Sequence, residues 1–75
     1  MQAGQFPEAI SQLEQALRID PNHAEAHYNL GIALEQLGQN QEAIRHYRRA
    51  LQVRPGYQEA QNRLTQLLQA NSRVF

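Results

Sequence analysis

The sequence predicts an all-α fold of four short antiparallel helices. Three observations carry this: an internal period of 34 residues, apolar residues at helical spacing in each half-period, and turn-forming residues between the halves. Shifted by 34, Gly4 falls on Gly38, Glu8-Ala9-Ile10 on Glu42-Ala43-Ile44, Ala16-Leu17 on Ala50-Leu51 and Pro21 on Pro55. The match continues through Glu25-Ala26, Leu30 and Leu34, reaching 13 identities over 41 overlapping positions. Most are small or apolar residues at helical spacing, so the period is structural rather than compositional.

The first helix is expected over 7–19, where Ala9, Ile10, Leu13, Ala16 and Leu17 form one stripe and Pro7 suits the opening turn. The second, 24–37, follows Asp20-Pro21-Asn22. Asn22 with Glu25 three residues on resembles a capping box, and Gly38 is placed for a left-handed C-cap. The third, 41–53, repeats the first stripe as Ala43, Ile44, Tyr47, Ala50 and Leu51, then stops at Pro55-Gly56. The fourth, 58–70, turns Ala60, Leu64, Leu67 and Leu68 inward and leaves 71–75 as a tail. Gly31 is the anomaly. A mid-helix glycine is about 1 kcal/mol worse than alanine, so a close approach has to compensate for it.

Residues 24–57, AEAHYNLGIALEQLGQNQEAIRHYRRALQVRPGY, resemble one complete tetratricopeptide repeat. Leu30-Gly31, Leu34, Ala43, Tyr47, Ala50 and Pro55 stand at that family's signature spacings, and His27 replaces its usual tryptophan. Residues 1–23 resemble the last two-thirds of a preceding repeat, and 58–70 a first helix whose glutamines suit a cap. The whole chain, 1–75, then reads as one tetratricopeptide-type domain. The resemblance implies antiparallel α-hairpins of a right-handed solenoid and a protein-interaction role. It also implies that Gly31, Ala43 and Ala50 lie where two helices cross too closely for larger side chains. The phase, starting mid-repeat, points to a segment of a longer array.

Composition narrows the function. A chain of 75 residues buries only about 60% of its unfolded surface, so its core is thin or shared. There is no cysteine, hence no disulfide or thiolate chemistry. No apolar run approaches a membrane span and no signal pattern opens the chain, which points to a cytoplasmic protein without membrane contact. Seven arginines balance seven carboxylates, and twelve glutamines suit polar helix surfaces.

Chemistry finds little material. His23 and His27 share a helical face, but a zinc-protease pattern needs Glu directly after the first His, whereas Glu25 lies two positions on, about 200° round the helix from His23, and no third ligand is evident. His27 reads as capping the core and His46 as surface. Arg45-His46-Tyr47-Arg48-Arg49, with Arg54, interleaves cations with a ring as nucleic-acid patches do. Tyr47 belongs to the core stripe, however, Glu42 can pair with Arg45 or His46, and the net charge is zero, which argues against nucleic acid. Asp20 reads as a turn residue, and Ser11 and Ser72 as exterior and tail. No nucleophile, base and oxyanion site can be assembled, so neither an enzyme nor a cofactor is indicated.

By 3.6-residue arithmetic Glu25, Tyr28, Ile32, Glu35 and Gln36 share a face away from Leu30, Leu34 and Leu37. The resemblance makes that face the concave groove for a peptide or protein partner. Asn29 is on it, and the last helix adds Glu59, Asn62, Arg63, Gln66 and Gln69. Tyr28 and Ile32 are apolar residues off the core stripe. A carboxylate clamp of the chaperone-adaptor kind would need lysine, which is absent. Asn29 matches the asparagine ladder of O-linked GlcNAc transferases, but its counterpart one period on is Arg63, which ends such a ladder after one rung. The alternative is self-assembly. Phe6, Ile10, Leu13 and Leu17 form a stripe that the resemblance leaves without its own first helix, and a homodimer would cover it.

Overall fold

The computed structural model describes residues 5–72. Among them lie four helices and no strand: α1 (Phe6–Ile19), α2 (Ala24–Gln36), α3 (Asn40–Val53) and α4 (Gln58–Ser72). α1 and α3 begin one residue earlier than the apolar stripes suggested. α2 ends one residue earlier, because Leu37 and Gly38 are consumed by its cap. α4 runs on to Ser72, so the first two residues of the expected tail are helical. Residues 1–4 and 73–75 lie outside the described residues.

The sequence period reappears as repeated turn geometry. α1 and α3 end alike, with the N–H of Asp20 bonded to Ala16 O at 2.8 Å and that of Arg54 to Ala50 O at 2.9 Å. His23 N–H then reaches Asp20 O, as Tyr57 N–H reaches Arg54 O. The C-terminus of α2 is a Schellman cap. Gly38 adopts φ +79°, its N–H bonds to Glu35 O at 3.0 Å, and Gln39 N–H bonds to Leu34 O at 2.9 Å.

The expected capping box does not form. His23 is the N-cap of α2, and its Nδ1 accepts from Ala26 N–H at 3.1 Å. Asn22 instead gives its backbone N–H to Asp20 Oδ1 at 3.2 Å, which makes Asp20 the side chain that organises the turn.

Each helix packs on the next, α1 on α2, α2 on α3 and α3 on α4. The main core joins Leu30 and Leu34 of α2 to Ala43, Ile44 and Tyr47 of α3 and to Leu64 and Leu67 of α4. A second cluster of Ala24, Ala50, Tyr57 and Ala60 fills the end near the α3–α4 turn. Two residues assigned inward are largely outside it: Leu37 is 41% exposed and Leu68 39%. Leu37 has rotated out at the end of its helix. Leu68 occupies the position of Leu34, which is buried against α3.

Gly31 does sit at a close approach, but its neighbour is a ring rather than a backbone. A Cβ built there would lie 2.5 Å from Tyr47 Cε1 and 2.7 Å from Cδ1. Tyr47 is 0% exposed, so the missing side chain of Gly31 is the space that its ring occupies.

Candidate functional site

The face shared by α2 and α4 holds a concavity of about 420 Å³ lined by Tyr28, Glu59, Asn62, Arg63 and Gln66. α2 supplies Tyr28 from its first half, and α4 supplies the polar residues at i, i+3, i+4 and i+7. Five of the expected groove residues, Tyr28, Glu59, Asn62, Arg63 and Gln66, therefore meet at one place. Glu25, Asn29 and Gln36 are exposed but do not line the concavity. Ile32 is half-buried against the core and Glu35 half-buried behind it.

Tyr28 is less free than its place off the core stripe suggested. Its ring lies 5.2 Å from that of Tyr57 and 6.0 Å from that of Tyr47, tilted by 42° and 44°. The Arg54 guanidinium stands 4.6 Å over the Tyr57 ring. A cation and three aromatic rings thus run in sequence from the α3–α4 turn to the core, with Tyr28 half-exposed at the concavity. Burial, then the nearby Glu25 carboxylate, raises the Tyr57 hydroxyl above the ordinary phenol range, while Arg54 opposes the shift.

Glu35 has a different task from the peptide contact assigned to it. Tyr47 Oη donates to Glu35 Oε1 at 2.8 Å, and the other carboxylate oxygen faces Arg63 Nη1 at 3.8 Å. Burial, then the bond to Glu35, holds the Tyr47 phenol far above its ordinary range, so it remains a donor. One carboxylate therefore satisfies the deepest hydroxyl in the core and holds the guanidinium at the groove. On the same helix Asn62 Oδ1 accepts from Gln58 Nε2 at 3.0 Å, which leaves the amide N–H groups of Asn62 as its donors for a ligand.

The outer flank of α3 differs. Gln41, Glu42, Ile44, Arg45, Arg48, Arg49 and Gln52 border a second depression of about 360 Å³. Arg49 Nη1 donates to Gln52 Oε1 at 2.9 Å. The expected pairing of Glu42 with Arg45 is absent, and the Arg63–Glu35 contact is the one ion pair among the described residues. No tyrosine ring is exposed beside these arginines, because Tyr47 faces the core, and the His46 ring is half-buried against His27. The stacking that a nucleic-acid surface would use is missing from this flank.

The histidines also differ from expectation. His27 is buried as predicted, but His46 is half-buried rather than surface, with its Nδ1 3.1 Å from His27 Nδ1. Nothing in the helical pattern of the sequence joins positions 27 and 46. Only the crossing of α2 and α3 does.

Two family profiles match the chain, one described as TPR repeat over residues 1–38 and one as tetratricopeptide repeat over residues 24–57. The chain belongs to the tetratricopeptide repeat family. Its four described helices are the helical-repeat architecture of that family, whose members generally mediate protein–protein interaction. A comparison with curated proteins found no match for this tetratricopeptide chain. None of the described helices is long and apolar enough to cross a membrane.

Proposed function

We propose that the chain is a non-catalytic, cytoplasmic interaction module that holds an extended peptide or protein segment against the α2–α4 face, with residues 24–57 as one complete repeat. The observation that carries this reading is the concavity of Tyr28, Asn62, Arg63 and Gln66. It offers an aromatic surface beside amide and guanidinium donors, the combination that grips a peptide backbone without demanding one side chain. The test is selection from a displayed random-peptide library, with the selected peptides titrated against variants. Tyr28→Ala and Arg63→Ala should each weaken binding by about tenfold or more, while Arg48→Ala on the outer flank leaves it unchanged. Loss from Arg48→Ala alone would move the site to α3.

A second reading, self-association through α1, has one observation in its favour. Ala9, Ile10, Ala16 and Leu17 have the same residues one period on in α3. There Ala43, Ile44 and Ala50 are buried, whereas Ala9, Ile10, Leu13, Ala16 and Leu17 of α1 are only half-buried. The proposed seam loses one member: Phe6 is already buried within a single chain, so Ile10, Leu13 and Leu17 would have to carry it.

A further inference from the structure

The chain has three histidines, His23 at the N-cap of α2 and His27 and His46 in contact across α2 and α3, and the Nδ1 atom of each is occupied. His23 Nδ1 accepts from Ala26 N–H and closes the first turn of α2. His27 Nε2 lies 2.9 Å from the carbonyl oxygen of Pro21. A carbonyl only accepts, so His27 carries its proton on Nε2 and its Nδ1 is bare. That bare atom is 3.1 Å from His46 Nδ1, which must then be the donor. The ring planes are inclined by only 26° with centroids 5.3 Å apart, close to the nitrogen separation plus two ring radii, so the rings meet edge to edge in line with the bond.

We propose that this junction is a proton-operated clasp: neutral histidines tie the α1–α2 turn, the start of α2 and the middle of α3 together, and acidification releases them. A proton on His46 Nε2 leaves the bond from Nδ1 to His27 in place but puts a charge on a half-buried ring, which the folded chain disfavours. Protons on the other two rings would break contacts outright. On His23 Nδ1 a proton removes the acceptor for Ala26 N–H, and on His27 Nδ1 it sets two N–H groups face to face.

His46 is surrounded from three helices. His27 faces it from α2 and Glu14 from α1, with Glu42 and Arg45 on α3 itself. Burial first, then His27, disfavours its charged form. Glu42 and Glu14 favour it and Arg45 does not, and the balance lies below the ordinary value of 6.5. The sign follows: the unfolded chain takes up protons near that value while the folded chain resists. The stabilisation is therefore present above the ordinary histidine range and is lost as pH falls through the lower folded value. The clasp itself does not depend on any partner.

The test uses the whole chain with a chelator present, unfolded by denaturant at steps between pH 8 and 5.5, where carboxylates stay ionised. The folding constant should fall between pH 7.5 and 5.5, by at most about tenfold, the limit for one proton wholly excluded over one pH unit below the ordinary value. A variant carrying His23→Asn, His27→Gln and His46→Gln, which keeps amide partners but no titrating ring, should stay within about twofold. Imidazole nitrogen shifts at pH 8 should assign an Nε2–H tautomer to His27 and an Nδ1–H tautomer to His46. A flat parent, a variant as steep as the parent, or identical tautomers on the two rings would overturn the clasp. Should the variant fail to fold, the parent profile and the tautomers decide.

Discussion

Gly31 shows how one absent side chain organises this fold. Helix propensity favours alanine there by about 1 kcal/mol, yet the added methyl would press into the buried Tyr47 ring. The expected result for Gly31→Ala is a net loss of about 1–3 kcal/mol in denaturant melts, since overpacking outweighs propensity. Gly38→Ala should cost about 1 kcal/mol for a different reason, because nothing crowds its Cβ position but its φ of +79° strains any L side chain. Gly56, with open space and no such φ, is the control and should tolerate alanine within about 0.5 kcal/mol. Parity between Gly31→Ala and the parent would mean that the ring can shift and that the close fit is incidental. Gly31 was legible as a packing residue because a costly glycine in a strong helix needs a reason. What filled the space was not legible, since Tyr47 lies on another helix.

Among the elements, α1 and α3 form an internal comparison. Their stripes are nearly the same sequence, but α3 is packed by helices on two sides and α1 chiefly by α2, so Ala9, Ile10 and Ala16 are half-buried where Ala43, Ile44 and Ala50 are buried, while Leu17 and Leu51 are alike half-buried. Ile19 makes the contrast sharper, at 86% exposed while its counterpart Val53 is half-buried. If copies of the chain cover these surfaces mutually, light scattering at tens of micromolar should give a dimer mass for the parent and a monomer mass for Ile10→Glu, a charge being intolerable in an apolar seam. A monomeric parent would remove the second reading. Helix existence and order were readable because Pro21, Pro55 and Gly38 punctuate strongly periodic runs. The cap of α2 was not, because Asn22 is the better N-cap former by type, yet its N–H is drawn into the Asp20 turn and the position falls to His23. Likewise Glu35 looked like a groove residue by arithmetic, and only the packed structure reveals that the Tyr47 hydroxyl needs it.

At the scale of the whole molecule, extents of 39 × 31 × 16 Å leave a slab thin enough that few side chains escape the surface. Zero net charge does not make that surface uniform. Arg45, Arg48 and Arg49 gather on the outer flank of α3, while Glu25 and Glu59 flank the concave side. Alkaline sensitivity lies in two phenols, Tyr47 and Tyr57, of which Tyr47 is the more deeply buried. Tyr47 is held far above its ordinary value of 10.0, so above that pH the unfolded chain loses a phenol proton that the folded chain keeps, and stability should fall as pH rises. Tyr47→Phe should flatten the decline above about pH 10 while costing about 0.5–1.5 kcal/mol at neutrality for the lost bond to Glu35. An unchanged alkaline slope would assign the effect to Tyr57. The aromatic series has one more consequence. The chain has no tryptophan, and its three tyrosines, Tyr57, Tyr28 and Tyr47, are the same rings that run from the α3–α4 turn through the concavity into the core. Its near-ultraviolet absorption and emission therefore arise almost wholly from that row. Excitation energy passes readily between rings so close, and the Tyr47 phenol, bonded to a carboxylate, is the natural quencher at its inner end. Occupancy of the groove at Tyr28 and loss of the core at Tyr47 would each change the light emitted, so the protein carries an intrinsic optical gauge of both its stability and its engagement.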